Sequence, residues 1–299
     1  MLLITGITGH SGKYLLRQLE NNHFTDEIKV IVRNSEQLEL FHESPLNIKV
    51  LIGDLDNQPI LDSVMENVDT VFHIASIFYS ENVVKAAVKN RVKRIILVHT
   101  TGIYSKYKSA SYEYQQIETK VNQMISNSNY PIEFTILRPT MIFGYLNDRN
   151  MIKFIKYVDK FPIMPVIDKG HGLIQPVHGS DLGKAYYQVL VSQNLQPDYI
   201  LSGERQLSLK ELFELIAKFL NKKIRILSIP SSLAVLSAQI LKLLSFNKID
   251  YVERIQRMTE DRSFKHDLAS QDFNYTPSSF EDNLKAEVEL YLKSNRSIL

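Results

Sequence analysis

The chain has 299 residues, 44% hydrophobic and 23% charged, an ordinary globular composition and long enough for one large core or a core plus a smaller lobe. With 35 Lys+Arg against 33 Asp+Glu and no window of clustered basic residues, nucleic acid is not an expected partner. The lack of cysteine excludes a disulfide scaffold, a thiolate nucleophile and a zinc-thiolate centre, and the eight histidines form no HxxxH-type pair, so no metal is expected either.

Met1-Leu2-Leu3-Ile4 is apolar but breaks at once into a glycine turn, with no basic leader and no cleavage site. The longest apolar run, Ser232 to Phe246, is interrupted by Gln239 and Lys242 and falls short of the ~20 residues needed to span a bilayer. These features predict a cytoplasmic protein with no membrane insertion. The run reads instead as core, as a wall of a substrate pocket or as a subunit contact, which leaves a homodimer open.

In chain order, Leu2–Thr5 reads as a strand and Lys13–Asn21 as a helix. Further strands are expected at Ile28–Val32, Ile48–Leu51, Thr70–Ile74, Ile95–Val98 and Phe134–Leu137, with helical stretches between most of them. Strands separated by helices imply parallel pairing through right-handed crossovers. The continuous apolar run Ile95-Ile96-Leu97-Val98 is what a strand buried on both faces looks like. The predicted fold is therefore α/β, a doubly wound parallel sheet (Rossmann fold) with a smaller C-terminal substrate lobe. Residues 1–160 are assigned to dinucleotide binding, and 161–299 to a lobe that returns to the sheet as one packed unit.

Beyond residue 150 the rhythm changes. A Pro-containing loop, Phe161 to Pro165, and a Gly-rich one around Gly170 and Gly172 precede Asp181, which is expected to N-cap a helix over Leu182–Val191. Ser208 is expected to cap a helix over Leu209–Leu220. A strand near Ile224–Leu227, the apolar helix and a last helix near Phe280–Leu292 follow.

The strongest signal is Thr5-Gly6-Ile7-Thr8-Gly9-His10-Ser11-Gly12, directly between the first strand and the first helix. In that context one glycine permits a tight turn, one lets backbone approach a pyrophosphate, and one lets helix and strand pack closely. The helix N-terminus adds N–H donors and positive potential. Gly6, Thr8, Gly9, His10, Ser11 and Gly12 are thus predicted to bind a nicotinamide dinucleotide. The second strand ends in Val32-Arg33-Asn34, with no acid nearer than Glu36 to take a ribose 2′-hydroxyl. Arg33 suits a 2′-phosphate, so NADP is the expected cofactor and NAD the alternative.

With these features the chain resembles, nearly end to end, the extended and atypical short-chain dehydrogenase/reductases, the NAD(P)-dependent epimerase/dehydratase group. Gly53-Asp54-Leu55 resembles the segment after the third strand, where the resemblance implies adenine contact by Asp54 beside Leu55. Phe72-His73-Ile74-Ala75-Ser76 is similar to the fourth-strand segment lining the cofactor, which implies roles for His73 and Ala75. Val98-His99-Thr100-Thr101-Gly102-Ile103-Tyr104 resembles the segment that carries the catalytic Ser/Thr, which implies Thr100 there. Leu137-Arg138-Pro139-Thr140-Met141-Ile142-Phe143-Gly144 is similar to the segment beside the nicotinamide, implying cofactor contact by Pro139, Thr140, Met141 and Ile142. Gln175-Pro176-Val177-His178-Gly179-Ser180-Asp181-Leu182 and Phe273-Asn274-Tyr275-Thr276-Pro277 resemble two further blocks of the group.

One departure stands out. The group pairs a catalytic Tyr with a Lys four residues later, about 400° round the helix, so that both side chains enter one site. In Ser111-Tyr112-Glu113-Tyr114-Gln115-Gln116-Ile117-Glu118-Thr119-Lys120 no register supplies that pair. Tyr114, 14 residues after Thr100, is the expected catalytic tyrosine, with Glu118 where the Lys should stand. A carboxylate there would raise the phenol pKa and favour proton donation; the plainer reading is a helix-surface aromatic. Tyr104 and Lys108 meet the spacing, but Tyr104 falls in the turn straight after a strand. His178 is read as structural, hydrogen-bonding in the loop into the helix after it.

The expected function is an NADP-dependent oxidoreductase or epimerase-like protein acting on a small carbonyl or sugar-like substrate. The broken Tyr/Lys pair leaves two alternatives: a non-catalytic dinucleotide-binding sensor or regulator, and an assembly subunit that keeps its cofactor for stability.

Overall fold

The computed structural model describes residues 1–107, 109–146, 148, 150–244 and 251–296. Lys108 and the last two positions of the apolar run, Ser245 and Phe246, lie outside the described residues. The first half alternates β1 (Leu2–Thr5), α1 (Gly12–Asn21), β2 (Ile28–Val32), β3 (Ile48–Ile52), α2 (Gln58–Val64) and β4 (Thr70–His73). It continues with α3 (Ser80–Lys89), β5 (Arg94–Val98), α4 (Ser109–Ser126) and β6 (Glu133–Pro139). These strands and a later one form a seven-stranded parallel sheet in the order β11-β6-β5-β4-β1-β2-β3, the Rossmann-like α/β fold read from the sequence. The order reverses between β1 and β4, where Thr5 stands beside His73, and a doubly wound sheet binds ligands at the carboxyl ends of such strands.

The later half supplies β7 (Ile142–Phe143), α5 (Met151–Lys160), β8 (Ile163–Ile167), β9 (Leu173–Ile174), β10 (Val177–His178) and α6 (Gly179–Val191). Then come β11 (Asp198–Leu201), β12 (Leu207–Ser208), α7 (Leu209–Phe219), β13 (Arg225–Ile229), α8 (Ser231–Leu244), α9 (Val252–Met258), α10 (Asp267–Phe273) and α11 (Phe280–Arg296). The chain re-enters the large sheet through β11, whose register runs from Asp198 beside Ile136 to Leu201 beside Pro139. Arg94 ties the far end of this layer together. Its guanidinium donates to the carbonyls of Val189, Leu190 and Ser192, placing a cation at the C-terminus of α6 where the helix dipole favours one.

Burial follows three clusters. One joins β1 and β2 to α1 and α6 through Leu15, Leu19, Phe72 and Tyr186; another lies under α2, α3 and α4 with Val83, Leu97 and Val121. The third holds the C-terminal lobe together through Phe143, Met151, Ile155, Met164, Leu212 and Phe280.

Two sequence expectations fail locally. The segment Phe161 to Pro165 is not a loop: β8 runs through Pro165 and pairs in parallel with β13, and a two-stranded ribbon tolerates a proline that lacks a ladder donor. Asp181 does not cap its helix. α6 begins two residues earlier and His178 is the N-cap, its ring accepting from Ser180 N at 3.2 Å, so its structural reading holds. Asp181 is buried and accepts from Ser278 Oγ (2.8 and 2.9 Å) and Ser278 N (3.2 Å). Ser208 caps α7 as expected, accepting from Glu211 N at 3.1 Å.

Among the side chains of α8 that are described, Ala234 and Ala238 are buried and Leu233, Leu236 and Ile240 are exposed. No helix among the described residues is long and apolar enough to cross a membrane.

Candidate active site

The turn after β1 is built by steric necessity. Gly6 adopts φ +77°, and a Cβ on it would stand 2.5 Å from Ala75 N, so only glycine lets this backbone lie against the segment after β4. A Cβ on Gly12 would strike Gly6 O and sit 2.6 Å from Ile7 Cα. Gly9 differs: it is exposed, and its N–H donates to Gly6 O at 2.9 Å, closing the turn. Beyond it the first turn of α1 folds back on the same segment, Lys13 N donating to Gly9 O and Tyr14 N to Ser11 O, both at 3.2 Å. Gln37, unnoticed in the sequence, braces the turn by donating to Thr8 Oγ1 at 3.2 Å and accepting from Arg33 N at 3.1 Å.

A cavity of about 800 Å³ opens from this turn. Gly6, Thr8, Gly9, His10 and Ser11 line it together with Thr100, Pro139, Thr140, Met141 and Ile142. Ile174, Gln175, Arg257, Glu260, Asp261, Arg262 and Phe264 bring in the C-terminal lobe. Gln175 fastens the two parts together, donating to Gly203 O at 2.7 Å and accepting from Phe264 N at 2.9 Å. Thr100 Oγ1 accepts from Gly102 N at 3.0 Å, which leaves its own O–H to donate.

Tyr104 is the cavity's tyrosine. Its ring is half exposed, packs on Phe264 with centroids 5.6 Å apart, and lies under the Arg138 guanidinium at 5.6 Å. Partial burial raises its pKa and Arg138 pulls it back, so the phenol is protonated at neutral pH and can donate. Tyr114, the tyrosine singled out from the sequence, is placed elsewhere. It is buried among Ile103, Ile117 and Val121, tilted against Phe78, and does not line the cavity.

The carboxylate at the lysine position belongs to a buried network. Glu118 takes a bidentate contact from Arg138 (2.6 and 2.8 Å) and meets His99 Nδ1 at 2.8 Å. His99 Nε2 meets Ser80 Oγ at 2.9 Å, and Arg138 also contacts Asp198 at 2.6 Å. Burial alone would raise the Glu118 pKa, but hydrogen bonds from His99 and Arg138 outweigh it and hold the carboxyl at about 2. The same two carboxylates push Arg138 above its ordinary value against the effect of burial. This corrects the sequence expectation that Glu118 would act as a bare charge on Tyr114: its charge is matched by Arg138.

A family model described as NAD(P)H-binding matches residues 6–158, more than half of the chain, including Gly6 to Gly12, Thr100, Glu118 and Arg138. The chain belongs to this NAD(P)H-binding family. The resemblance to NAD(P)-dependent epimerases and dehydratases holds as well. A UDP-glucose 4-epimerase of Rickettsia felis is 31% identical over 123 residues, and one of Rickettsia prowazekii 34% over 122. Each match covers 33% of this chain and 36% of the relative, so the chain spans about a third of the length of these curated relatives.

Solved structures match far more of the fold at lower identity. The crystal structure of gox2253 aligns with a TM-score of 0.79 at 18% identity, covering 99% of both chains. A dTDP-glucose 4,6-dehydratase of Streptomyces venezuelae with NAD bound gives 0.70 at 18%, covering 98% of this chain and 97% of that one. An NADPH-dependent quinone oxidoreductase of Escherichia coli complexed with NADPH gives 0.71 at 19%, covering 98% and 100%. These place the chain in a shared fold.

The turn fits the family's dinucleotide: an exposed glycine at its mouth, the N-terminus of α1 behind it, and a cavity ahead. Other residues expected to touch the cofactor sit outside the cavity lining. Arg33 and Asp54 are exposed just past β2 and β3, with Leu55 buried beside Asp54 and Ala75 pressed on Gly6. His73 is fully buried, with Nδ1 2.6 Å from Thr5 Oγ1 and Nε2 3.2 Å from Ser76 O. Burial drives its pKa to about 3, so it stays neutral and pins β1 to β4. Its strand-end position suggested a ligand contact; the ring bonds to Thr5 and Ser76 and is not among the residues lining the cavity.

Proposed function

We propose that this member of the NAD(P)H-binding family is an oxidoreductase of small carbonyl or sugar-like substrates that uses NADP in preference to NAD. What supports the reading most directly is one continuous cavity that brings together the glycine turn, Thr100 and Tyr104. The dinucleotide, when bound, supplies hydride. The chain's own part is to orient the substrate oxygen and handle its proton. In this reading the Thr100 hydroxyl donates a hydrogen bond to that oxygen, and the Tyr104 phenol is the proton donor in reduction. No lysine among the described residues lines the cavity, and burial raises the Tyr104 pKa, so the phenol is a poor base at neutral pH and carbonyl reduction is favoured over alcohol oxidation. The assignment moves the tyrosine role from Tyr114 to Tyr104, because a buried ring outside the cavity cannot reach a substrate.

A panel of carbonyl compounds followed by NADPH absorbance tests this. Tyr104→Phe is expected to lower kcat by about a hundredfold or more with the fold intact, while Tyr114→Phe leaves kcat within about twofold. The opposite ranking would return the role to Tyr114.

The cofactor preference rests on Arg33, exposed beyond β2 with no acid at the strand end. A charge-assisted contact to the 2′-phosphate is worth roughly 1.5–3 kcal/mol, or about ten- to a hundredfold in affinity. Calorimetry is expected to show wild type binding NADPH more tightly than NADH by that margin, and Arg33→Ala binding both alike. Equal affinities in wild type would remove NADP from the proposal.

A second reading, a dinucleotide-responsive sensor without turnover, is favoured by one observation: the lysine position holds Glu118 locked to Arg138. Tight NADPH binding with no oxidation across the panel would select it.

A further inference from the structure

Where α5 runs into the two-stranded ribbon of β8 and β13, the C-terminal lobe exposes cations and apolar side chains together. Lys153, Lys156 and Lys160 stand exposed on α5 at spacings of three and four residues, which puts them on one face of the helix with Tyr157. The helix has a single acid, Asp159, and it is taken: its carboxylate pairs with Lys222 at 2.5 Å and accepts from Tyr291 at 2.8 Å. Tyr157 and Phe161, both exposed, pack with ring centroids 4.8 Å apart, and the Lys160 ammonium lies over the Phe161 ring at 5.5 Å.

The ribbon continues this corner. Met164 and Val166 fill its buried face, and the alternate positions turn outward, Ile163 on β8 and Arg225 and Leu227 on β13. Arg225 stands beside Ile163 in the register, and Lys223 is exposed just ahead of it. β13 then leads through Pro230 into α8, with its exposed Leu233, Leu236 and Ile240.

Two properties coincide here. Of the ten large aliphatic side chains exposed among the described residues, five are Ile163, Leu227, Leu233, Leu236 and Ile240. Single exposed leucines are ordinary, but a concentration of them marks a contact. In the same region, from Leu215 to Leu244, the chain has no Asp or Glu and five Lys or Arg. A polyanion alone would meet the cations and leave the aliphatic side chains in water. An apolar protein face would leave the cations unmatched. The surface of an anionic bilayer meets both, taking leucine, isoleucine and aromatic rings at the headgroup boundary while lysines stay among the phosphates.

We infer that this corner of the C-terminal lobe is a peripheral docking surface for an anionic membrane, on which the protein rests without spanning it. The inference does not depend on the oxidoreductase reading, since none of these residues lines the cavity.

The test is flotation of the full chain with vesicles of phosphatidylglycerol and phosphatidylcholine in equal parts, and with vesicles of phosphatidylcholine alone. Binding to the mixed vesicles is expected to exceed binding to the neutral ones by about tenfold or more, and to weaken as sodium chloride is raised. Two double variants divide the surface: Leu233→Asn with Leu236→Asn, and Lys156→Glu with Lys223→Glu. Each is expected to lower partition to the mixed vesicles by about tenfold or more, with the melting temperature at its wild-type value because every changed side chain is exposed. No flotation with either vesicle, equal flotation with both, or undiminished flotation of both variants overturns the inference. Sedimentation equilibrium distinguishes a second copy of the chain as the occupant. The same mass is expected for wild type and the Leu233/Leu236 variant, and a wild-type dimer that this variant dissociates overturns the membrane reading.

Discussion

Glu118→Gln is expected to destabilise the fold by about 3–5 kcal/mol, although it removes no apolar contact. The carboxylate receives both arms of Arg138 and one nitrogen of His99 in a region sealed from water. A buried ion pair need not outperform a well-packed apolar pair, but removing one partner strands the other, and Arg138 has only the half-exposed Asp198 to fall back on. At ~2 °C per kcal/mol for a chain of this size, the melting temperature is expected to drop by roughly 6–10 °C.

Glu118→Lys is expected to do worse. It restores the four-residue spacing from Tyr114, yet it drives a second cation against Arg138 inside the core. The same network sets an acid limit. Because the folded carboxyl titrates at about 2 and the free one near 4.5, its contribution is complete above about pH 4.5 and is lost as pH falls from there toward 2. Denaturant titrations at pH 7 and pH 3 should therefore show the wild type converging on Glu118→Gln in acid. A Glu118→Gln protein melting within about 2 °C of wild type at neutral pH would show that Arg138 is held by something other than this pair.

The contrast between this network and the turn shows what a sequence can and cannot disclose. The turn is local: β1, the six residues from Gly6 to Ser11 and α1 are contiguous, and each steric demand falls on a residue visible in that stretch. The central strands are legible for a related reason, since parallel strands covered on both faces must be apolar throughout. Glu118 and Arg138 are 20 residues apart on α4 and β6, and nothing in either segment announces the pairing. Read against a Tyr-Lys motif, Glu118 looks like a defect; in the fold it is the partner of Arg138.

The C-terminal lobe was less legible because its strands are short. β7, β9, β10 and β12 have two residues each, too few to show a period, and β8 contains a proline that argues against a strand. Tyr104 could have been found, since Thr100 to Tyr104 is one short turn, but its claim depends on Phe264 and Arg138 holding its ring at the cavity.

Gly9→Val is expected to abolish dinucleotide binding while leaving the fold standing, and the three glycines of the turn explain why this one is the clean probe. A side chain on Gly6 meets Ala75 backbone and forces a left-handed φ on an L-residue, and one on Gly12 meets the turn itself. Either change is expected to damage the β1–α1 packing, so lost binding would not distinguish a filled site from a broken fold. At Gly9 a Cβ approaches only Gly6 O, at 3.0 Å, and Gly9 is not among the glycines with positive φ. A small adjustment accommodates it, and the valine methyls then project from an exposed position into the mouth of the cavity, where a pyrophosphate has to meet the N-terminus of α1. Calorimetry with NADPH and NADH is expected to show affinity reduced by more than about a hundredfold for both, equivalent to ~2.7 kcal/mol, with circular dichroism and melting temperature close to wild type. Equal losses for the two cofactors matter, because the pyrophosphate is common to them while the 2′-phosphate at Arg33 is not. A Gly9→Val protein that binds NADPH at wild-type strength would mean the pyrophosphate is held elsewhere. The cavity beside Thr100 and Tyr104 would then have no cofactor to work with.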